Sequence, residues 1–208
     1  QTKEQVAGRH VDENWHEFGV LEYDMAIDVE LANACIKESS SIGVKSKAVN
    51  YDGFPIDTGT IVADSFLNRI RKPVVVTSNN VYHDMAVTES IGQLVAKSAR
   101  EQRKDIAVVA VGGLSGAFFR QEINPEDDRI FSEAYDSANR KMLDLICSGN
   151  CQKAMAFVPE YNEQASPEMG FKHFGFVSGA LGHKYSKAEV HHYGPLYGSG
   201  GAVIEFQV

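Results

Sequence analysis

Apolar positions along this chain follow two patterns, a helical period and short continuous runs. Apolar side chains recur at helical spacing in residues 24–41, and residues 84–103 have the pattern of a long amphipathic helix. Short apolar runs bounded by glycine or proline predict buried strands, of which residues 107–111 form the most pronounced. This alternation of helices and strands is typical of an α/β protein.

The remaining elements complete the same alternation. Further helices are predicted at residues 58–71, 125–147 (with Asn124 as the cap), from 151 onward and 167–181; further strands at 44–49, 74–77, 189–193 and 202–206; and a turn-rich loop at 50–57. We expect one domain over residues 1–208, with a mainly parallel central sheet and helices on both faces. Because the first dozen residues show no strand pattern, we also expect that a segment before Gln1 is missing.

Composition excludes several kinds of partner. The 208 residues are 43% hydrophobic and include 20 basic and 28 acidic side chains, a net charge of −8. The longest basic patch is residues 100–104, so we expect no binding to nucleic acid or to an anionic membrane surface. No apolar stretch approaches the ~18 residues of a membrane-spanning helix. The three cysteines are an odd number without a metal-ligand pair, which indicates reduced thiols in a cytoplasmic protein.

The loop after the 107–111 run is placed like a ligand site but contains little chemistry. In open α/β sheets, ligands bind beyond the carboxyl ends of the strands. Residues 112–119 contain one hydroxyl, that of Ser115, and no His, Asp, Glu, Lys or Cys. The glycine-rich residues 194–201 do not form a phosphate loop, because a strand follows them, and we predict a tight connection between two strands.

The histidines show no metal-ligand spacing. No two are four residues apart, and His191 and His192, as neighbours on a strand, point to opposite faces. We interpret each histidine as exposed or hydrogen-bonded: His10, His16, His83, His173, His183, His191 and His192. Glu168 lies in the first turn of a predicted helix, where the helix dipole already favours a carboxylate.

Several segments, taken in order, resemble one family. They are residues 8–15 (GRHVDENW), 21–32 (LEYDMAIDVELA), 57–60 (DTGT), 73–80 (PVVVTSNN), 113–115 (GLS), 168–182, 192–194 (HYG) and 198–205 (GSGGAVIE). Over nearly its whole length the chain is similar to the class III extradiol ring-cleavage dioxygenases, of which protocatechuate 4,5-dioxygenase is the familiar member. Within that family it resembles the two-subunit enzymes that open the ring of 2-aminophenol-type aromatics.

The resemblance implies an iron site of which this chain shows only one part. The family binds Fe(II) with two histidines and one glutamate, and a further histidine acts as acid and base. Glu168 stands at the position of the glutamate ligand, whereas Gly116 stands where the catalytic histidine would follow Leu-Ser. Both histidine ligands would lie upstream of Gly8. One explanation for the glycine at 116 is a left-handed backbone, in which a side chain is strained.

These correspondences favour a non-catalytic subunit. The resemblance implies two homologous subunits, one with the iron site and an alpha-type subunit that supports the assembly, and this chain resembles the second. We expect no catalytic residue, cofactor or metal in this chain, Fe(II) in a homologous beta-type partner, and an α2β2 assembly. The aromatic residues at 118–119 and 171–176 are predicted to contribute to an apolar interface.

Two other hypotheses stay open. The chain is itself a catalytic Fe(II) dioxygenase if an upstream segment supplies both histidines and His83 or His183 replaces the lost base; Gly116 argues against this. Alternatively, it is a small-molecule binding module that kept the pocket and lost the chemistry. A ligand bound without turnover would support that reading.

Overall fold

The computed structural model describes residues 2–11, 20–51, 55–78 and 81–208. They divide into two compact units, one of residues up to 83 with 94–111, the other of residues 84–93 with 112–208. His16, residues 12–15 of the family resemblance, residues 52–54 of the predicted loop and residues 79–80 lie outside the described residues. The expectation of a single domain over 1–208 stays a prediction.

The described residues form short strands and six α-helices. In chain order they are β1 (Gln5–Val11), β2 (Val20–Ala26), α1 (Val29–Ser39), α2 (Thr58–Leu67), α3 (Met85–Glu101), α4 (Glu133–Cys147), α5 (Cys151–Ala165), α6 (Lys172–Ala180), β3 (Lys187–Leu196) and β4 (Ser199–Gln207). Short 3-10 helices cover Ser40–Ile42, Pro125–Asp127 and Glu168–Phe171.

Local sequence sets where most of these helices begin. Asp28, Asp57, Asp84, Ser132 and Asn150 directly precede α1 to α5, and each side chain accepts a hydrogen bond from the backbone amide three residues later, at 2.9–3.2 Å. Such a cap satisfies one of the amides that a helix start leaves without a partner, and is worth about 1 kcal/mol. These caps explain why α3 and α5 lie close to where the sequence predicts them.

The first unit packs around the antiparallel pair β1 and β2, in which Gln5 lies opposite Ala26 and Val11 opposite Val20. Its core consists of buried apolar side chains from both strands, from the residue after β2, from α2 and from the chain just before α2: Val6, Met25, Ile27, Ile56 and Ile61. The sequence predicted no strand in the first dozen residues and helix from residue 24. Both predictions are wrong, because β1 pairs with the residues 20–26 that precede α1.

The second unit contains the larger core. Helices α4 and α5 pack together, and α4 packs against the hairpin of β3 and β4, in which Lys187 lies opposite Gln207. Tyr197 and Gly198 form the hairpin turn with φ of 55° and 99°, the positive values that a tight two-residue turn requires. The tight connection predicted within residues 194–201 is confirmed, although both strands extend into the glycine-rich segment.

Two aromatic residues predicted to face a partner belong to this core instead. Phe171 is 1% and Phe174 4% exposed, and both pack within the second unit, whereas Phe118 is 62% exposed. An apolar face in a sequence does not distinguish a domain core from an interface, because both bury the same residue types. The prediction of an interface role is therefore wrong for Phe171 and Phe174, and it stays a prediction for the exposed Phe118.

The predicted mainly parallel central sheet is wrong. In the described part of the chain, the strands form two separate antiparallel pairs, and the parallel pairing present is an isolated bridge between Ile27 and Val74. The predicted strands at 44–49, 74–77 and 107–111 form no ladder, and Val109 and Val111 are 50% and 54% exposed. A short apolar run fixes neither a pairing partner nor burial. The molecule remains a mixture of helices and strands.

Two predicted helices are interrupted. Instead of one helix over 125–147, a single 3-10 turn at Pro125–Asp127 precedes a separate α4. The predicted helix at 167–181 is a 3-10 segment and α6, joined by residues with left-handed backbone. Among the described helices, none is both long and apolar enough to cross a lipid bilayer.

Candidate functional site

Ser115, the one hydroxyl of the 112–119 loop, is a buried structural junction. Its Oγ accepts hydrogen bonds from Asn139 Nδ2 at 3.0 Å and from the Gly200 amide at 2.8 Å. Asn139 Oδ1 in turn accepts from the Tyr161 hydroxyl at 2.7 Å. Because all three side chains are at most 1% exposed, this network ties the loop to α4, α5 and β4. Ser115 is thus occupied in packing rather than presented to a ligand.

The protonation states of the buried tyrosines support a structural role for these hydrogen bonds. Burial raises the pKa of Tyr161, so its hydroxyl stays protonated and remains a donor. Nearby, Tyr193 donates to Asp136 at 2.6 Å, and burial raises the pKa of Tyr193 to about 12. The hydrogen bond from Arg140 to Asp136, at 2.9 Å, lowers the pKa of that carboxyl. Asp136 and Arg140 lie four residues apart on α4, a spacing that the sequence shows. Tyr161 and Tyr193 lie on α5 and β3, and no local sequence signal links them to α4.

The carboxylate of Glu168 lies against the loop. Its Oε2 accepts a hydrogen bond from the Gly113 amide at 2.8 Å, although the residue is exposed. Sequence reasoning correctly places Glu168 at the start of a helical turn, the 3-10 segment Glu168–Phe171. It misses the partner, because Gly113 lies 55 residues earlier in the chain.

Gly116 lies where the backbone of another segment leaves no room for a side chain. A Cβ built on Gly116 would overlap the carbonyl oxygen of Ser166, and the Gly116 amide donates to Ala165 O at 3.1 Å. The left-handed conformation suggested for Gly116 is wrong, because the residue has no positive φ. Close approach of the Ser166 backbone, rather than torsional strain, explains the glycine.

A partly buried imidazole flanks the start of the loop. The ring of His173, on α6, packs edge-on against Phe171 with 4.8 Å between centroids, and a Cβ on Gly112 would overlap it. Burial lowers the pKa of His173 to about 4, so the imidazole is neutral near pH 7. Sequence reasoning places His173 on a helix but contains no signal for its burial.

The other described histidines have local partners or separate positions. His10 Nε2 lies 2.7 Å from Thr58 Oγ1 in the first unit, and the Nδ1 of His83, in the same unit, is buried without a hydrogen-bond partner among the described residues. On the hairpin, His191 Nε2 lies 2.8 Å from Glu205 Oε2, and a register shift falls between Val190 and His192.

His183 belongs to a polar chain in the second unit. Its Nδ1 lies 3.0 Å from Ser178 Oγ and 3.7 Å from Glu89 Oε1, and Ser178 contacts the buried thiol of Cys151 at 2.8 Å. Ser178 and Glu89 both face the same nitrogen of His183. The arrangement is therefore not that of a catalytic triad, in which the nucleophile and the orienting carboxylate contact opposite nitrogens of the histidine. Cys35, Cys147 and Cys151 are free thiols, as the cysteine pattern predicts.

The described residues do not fit an iron site of two histidines and one carboxylate. Such a site needs three ligands on one face. In residues 2–11, 20–51, 55–78 and 81–208, no three His, Cys, Asp or Glu side chains come close enough to hold a metal ion. Glu168 offers one carboxylate, and one of its oxygens accepts the Gly113 amide. No step of a reaction is therefore assigned to a metal in this chain.

Comparison with known proteins defines the family. Residues 6–205 match the family model described as the catalytic LigB subunit of aromatic ring-opening dioxygenase. The chain belongs to the LigB family, which confirms the resemblance carried by the sequence segments above.

The relatives found by sequence comparison include two subunits of 2-aminophenol 1,6-dioxygenase and one further dioxygenase. The chain is 48% identical over 209 residues to the 2-aminophenol 1,6-dioxygenase alpha subunit of Pseudomonas sp, an alignment that covers 100% of this chain and 77% of the relative. It is 27% identical over 218 residues to the beta subunit of 2-aminophenol 1,6-dioxygenase from Pseudomonas sp, covering 98% and 70%. It is 22% identical over 180 residues to the 3,4-dihydroxyphenylacetate 2,3-dioxygenase of Escherichia coli, covering 85% and 65%.

Proposed function

We propose that this chain is the alpha-type, non-catalytic subunit of a hetero-oligomeric dioxygenase that opens the ring of 2-aminophenol-type aromatics. One observation carries the proposal: along its full length the chain is 48% identical to an alpha subunit, against 27% to the beta subunit of an enzyme of the same name. Sequence identity thus distinguishes the alpha from the beta subunit, and this chain is more similar to the alpha type.

The local geometry supports a subunit without its own chemistry. Position 116 is a glycine with the Ser166 carbonyl against it, so it supplies no imidazole and has no room for one. A positioned acid and base contributes on the order of 10²–10⁴ in rate. Glu168, at the family's glutamate position, is engaged with the backbone of Gly113. We take neither Gly116 nor Glu168 as a catalytic or metal-binding residue of this chain.

The similarity to both an alpha and a beta subunit also supports a partner for this chain. We place Fe(II) and the ring-opening chemistry in a homologous beta-type subunit, and this chain in the role of stabilising that subunit within an α2β2 complex. We place the complex in the cytoplasm, where free thiols such as those of Cys35, Cys147 and Cys151 stay reduced.

Co-expression with a beta-type subunit tests the proposal. The two chains are expected to purify together, and the complex is expected to cleave 2-aminophenol when loaded with Fe(II) under anaerobic conditions. After the subunits are separated, iron should remain with the beta-type chain. Near-stoichiometric iron on this chain, or ring cleavage by this chain without its partner, would support the catalytic alternative. A chain that binds an aromatic ligand but no beta-type subunit would support the binding module.

A further inference from the structure

The segment that carries Glu168 has an unusual backbone. Ser166, Met169 and Phe171 have φ of 46°, 50° and 64°, and Gly170 has 67°. Left-handed backbone costs about 1–2 kcal/mol for a residue other than glycine. Three such residues within six positions require surrounding contacts that hold them in place.

Two contacts hold the two ends of this segment. At its C-terminal end, Phe171 is buried and packs edge-on against Tyr161, with 5.1 Å between ring centroids. Toward its start, Glu168 Oε2 accepts a hydrogen bond from the Gly113 amide at 2.8 Å. The first contact anchors the segment in the core of the second unit, and the second joins it to the loop that contains Gly116.

Ser166 lies between two contacts with the 112–116 loop: the one made by Glu168, and the hydrogen bond from the Gly116 amide to Ala165 O at 3.1 Å. Ser166 is exposed and ends α5, with its amide bonded to Asn162 O at 3.1 Å and its carbonyl directed at Gly116. Glu168 lies two residues later, and Gly113 three residues before Gly116. The Glu168–Gly113 hydrogen bond lies on one side of the Ser166 carbonyl and the Gly116–Ala165 hydrogen bond on the other. Together they keep this carbonyl against Gly116.

We infer that Glu168 is a positioning residue: its carboxylate and the Gly113 amide form a latch that holds the strained segment 166–171 against the loop 112–116 and keeps the Ser166 carbonyl in the space of a side chain at position 116. The latch accounts for a glutamate at this position without a metal. It goes beyond the proposed function, because it concerns the backbone of this chain and holds with or without a beta-type partner.

Hydrogen exchange of the Gly113 amide tests the latch directly in the full chain, free and in its complex. Glu168→Ala is expected to accelerate exchange of this amide roughly threefold to tenfold, because one hydrogen bond is lost. Glu168→Gln keeps an acceptor of the same reach and should exchange like the natural chain. Glu168→Asp keeps the charge, shortens the side chain and should exchange like Glu168→Ala. Glu163→Ala, at an exposed glutamate of α5, is the matched control and should change nothing at Gly113.

A double-mutant cycle tests the consequence for position 116. Gly116→Ala should lower the Tm in the natural background and lower it clearly less in the Glu168→Ala background, because a released segment lets the Ser166 carbonyl move away. Equal Tm losses in both backgrounds would overturn the inference. So would unchanged Gly113 exchange in Glu168→Ala, or exchange in Glu168→Gln as fast as in Glu168→Ala.

Discussion

The Tyr161 hydroxyl and the Asn139 side-chain oxygen are joined by a 2.7 Å hydrogen bond in a place where neither residue is exposed. Asn139 passes this connection to Ser115, and Ser115 to the Gly200 amide. The 112–119 loop, which contains Ser115, is therefore held in place by hydrogen bonds in the protein interior. Each polar group in this hydrogen-bond network needs its partner, because a buried polar atom without a hydrogen bond keeps its full desolvation cost.

Removal of the Tyr161 hydroxyl should weaken the fold. In Tyr161→Phe the Asn139 oxygen loses its donor while the ring still fills the core, so we expect a loss of about 1–3 kcal/mol in the free energy of unfolding. Urea unfolding at pH 7 measures it. Tyr135→Phe, which removes a hydroxyl from a partly buried tyrosine at the edge of the same core, is the control and should cost less. Equal losses in the two variants would contradict the role of the network.

A side chain at position 116 should be poorly tolerated. Gly116→Ala places a Cβ on the Ser166 carbonyl oxygen and forces the backbone to move, for which overpacking predicts a loss of about 1–3 kcal/mol. Gly113→Ala is the matched control in the same loop, because its Cβ would meet its nearest atom at 3.8 Å, an ordinary contact. If thermal unfolding shows both variants as stable as the natural chain, the close approach of Ser166 is not a constraint.

The stability of the chain should fall below pH 6.5 in a manner that depends on His173. Burial lowers the folded-state pKa of His173 to about 4, whereas the unfolded imidazole titrates near 6.5. As the pH falls from about 6.5 to 4, the unfolded state binds a proton that the folded state excludes. The contribution of His173 is therefore complete above pH 6.5 and is lost on acidification, at roughly 1–3 kcal/mol in total.

Replacement of His173 isolates this contribution. His173→Gln should flatten the dependence of the free energy of unfolding on pH between 6.5 and 4, measured by urea unfolding at several pH values. His192→Gln, at an exposed histidine of β3, is the matched control and should leave the slope as in the natural chain. A slope that persists in His173→Gln would assign the acid sensitivity to other groups.

The helices could be predicted from the sequence more readily than the strands. Asp84 and Asn150 cap α3 and α5 through bonds that span three residues, so a local window contains the whole signal. Strand formation depends on a partner far along the chain: residues 107–111 have the composition of a buried strand, yet Val109 is half exposed and no ladder forms. Composition reports burial tendency but not pairing.

The sequence identifies which residues belong to the candidate site but not the contacts that they make. The family motif identifies Gly116 and Glu168, but neither the Ser166 carbonyl beside the first nor the Gly113 amide on the second is visible in the sequence. Both contacts arise from the left-handed turns after α5, and three of the four residues that adopt them are not glycine. Propensity does not predict such turns, because the tertiary contacts that stabilise them lie outside the local window.

The central claim, that this chain supports catalysis without performing it, is tested most directly by ring cleavage in the assembled complex with Glu168→Gln in this chain alone. Glutamine keeps an acceptor for the Gly113 amide but removes the carboxylate that an iron ligand requires. The account predicts turnover of 2-aminophenol per complex within roughly twofold of the natural assembly, since exposed substitutions that preserve a contact change little. A loss of about 100-fold or more with the assembly intact would contradict it and place a working active site in this chain.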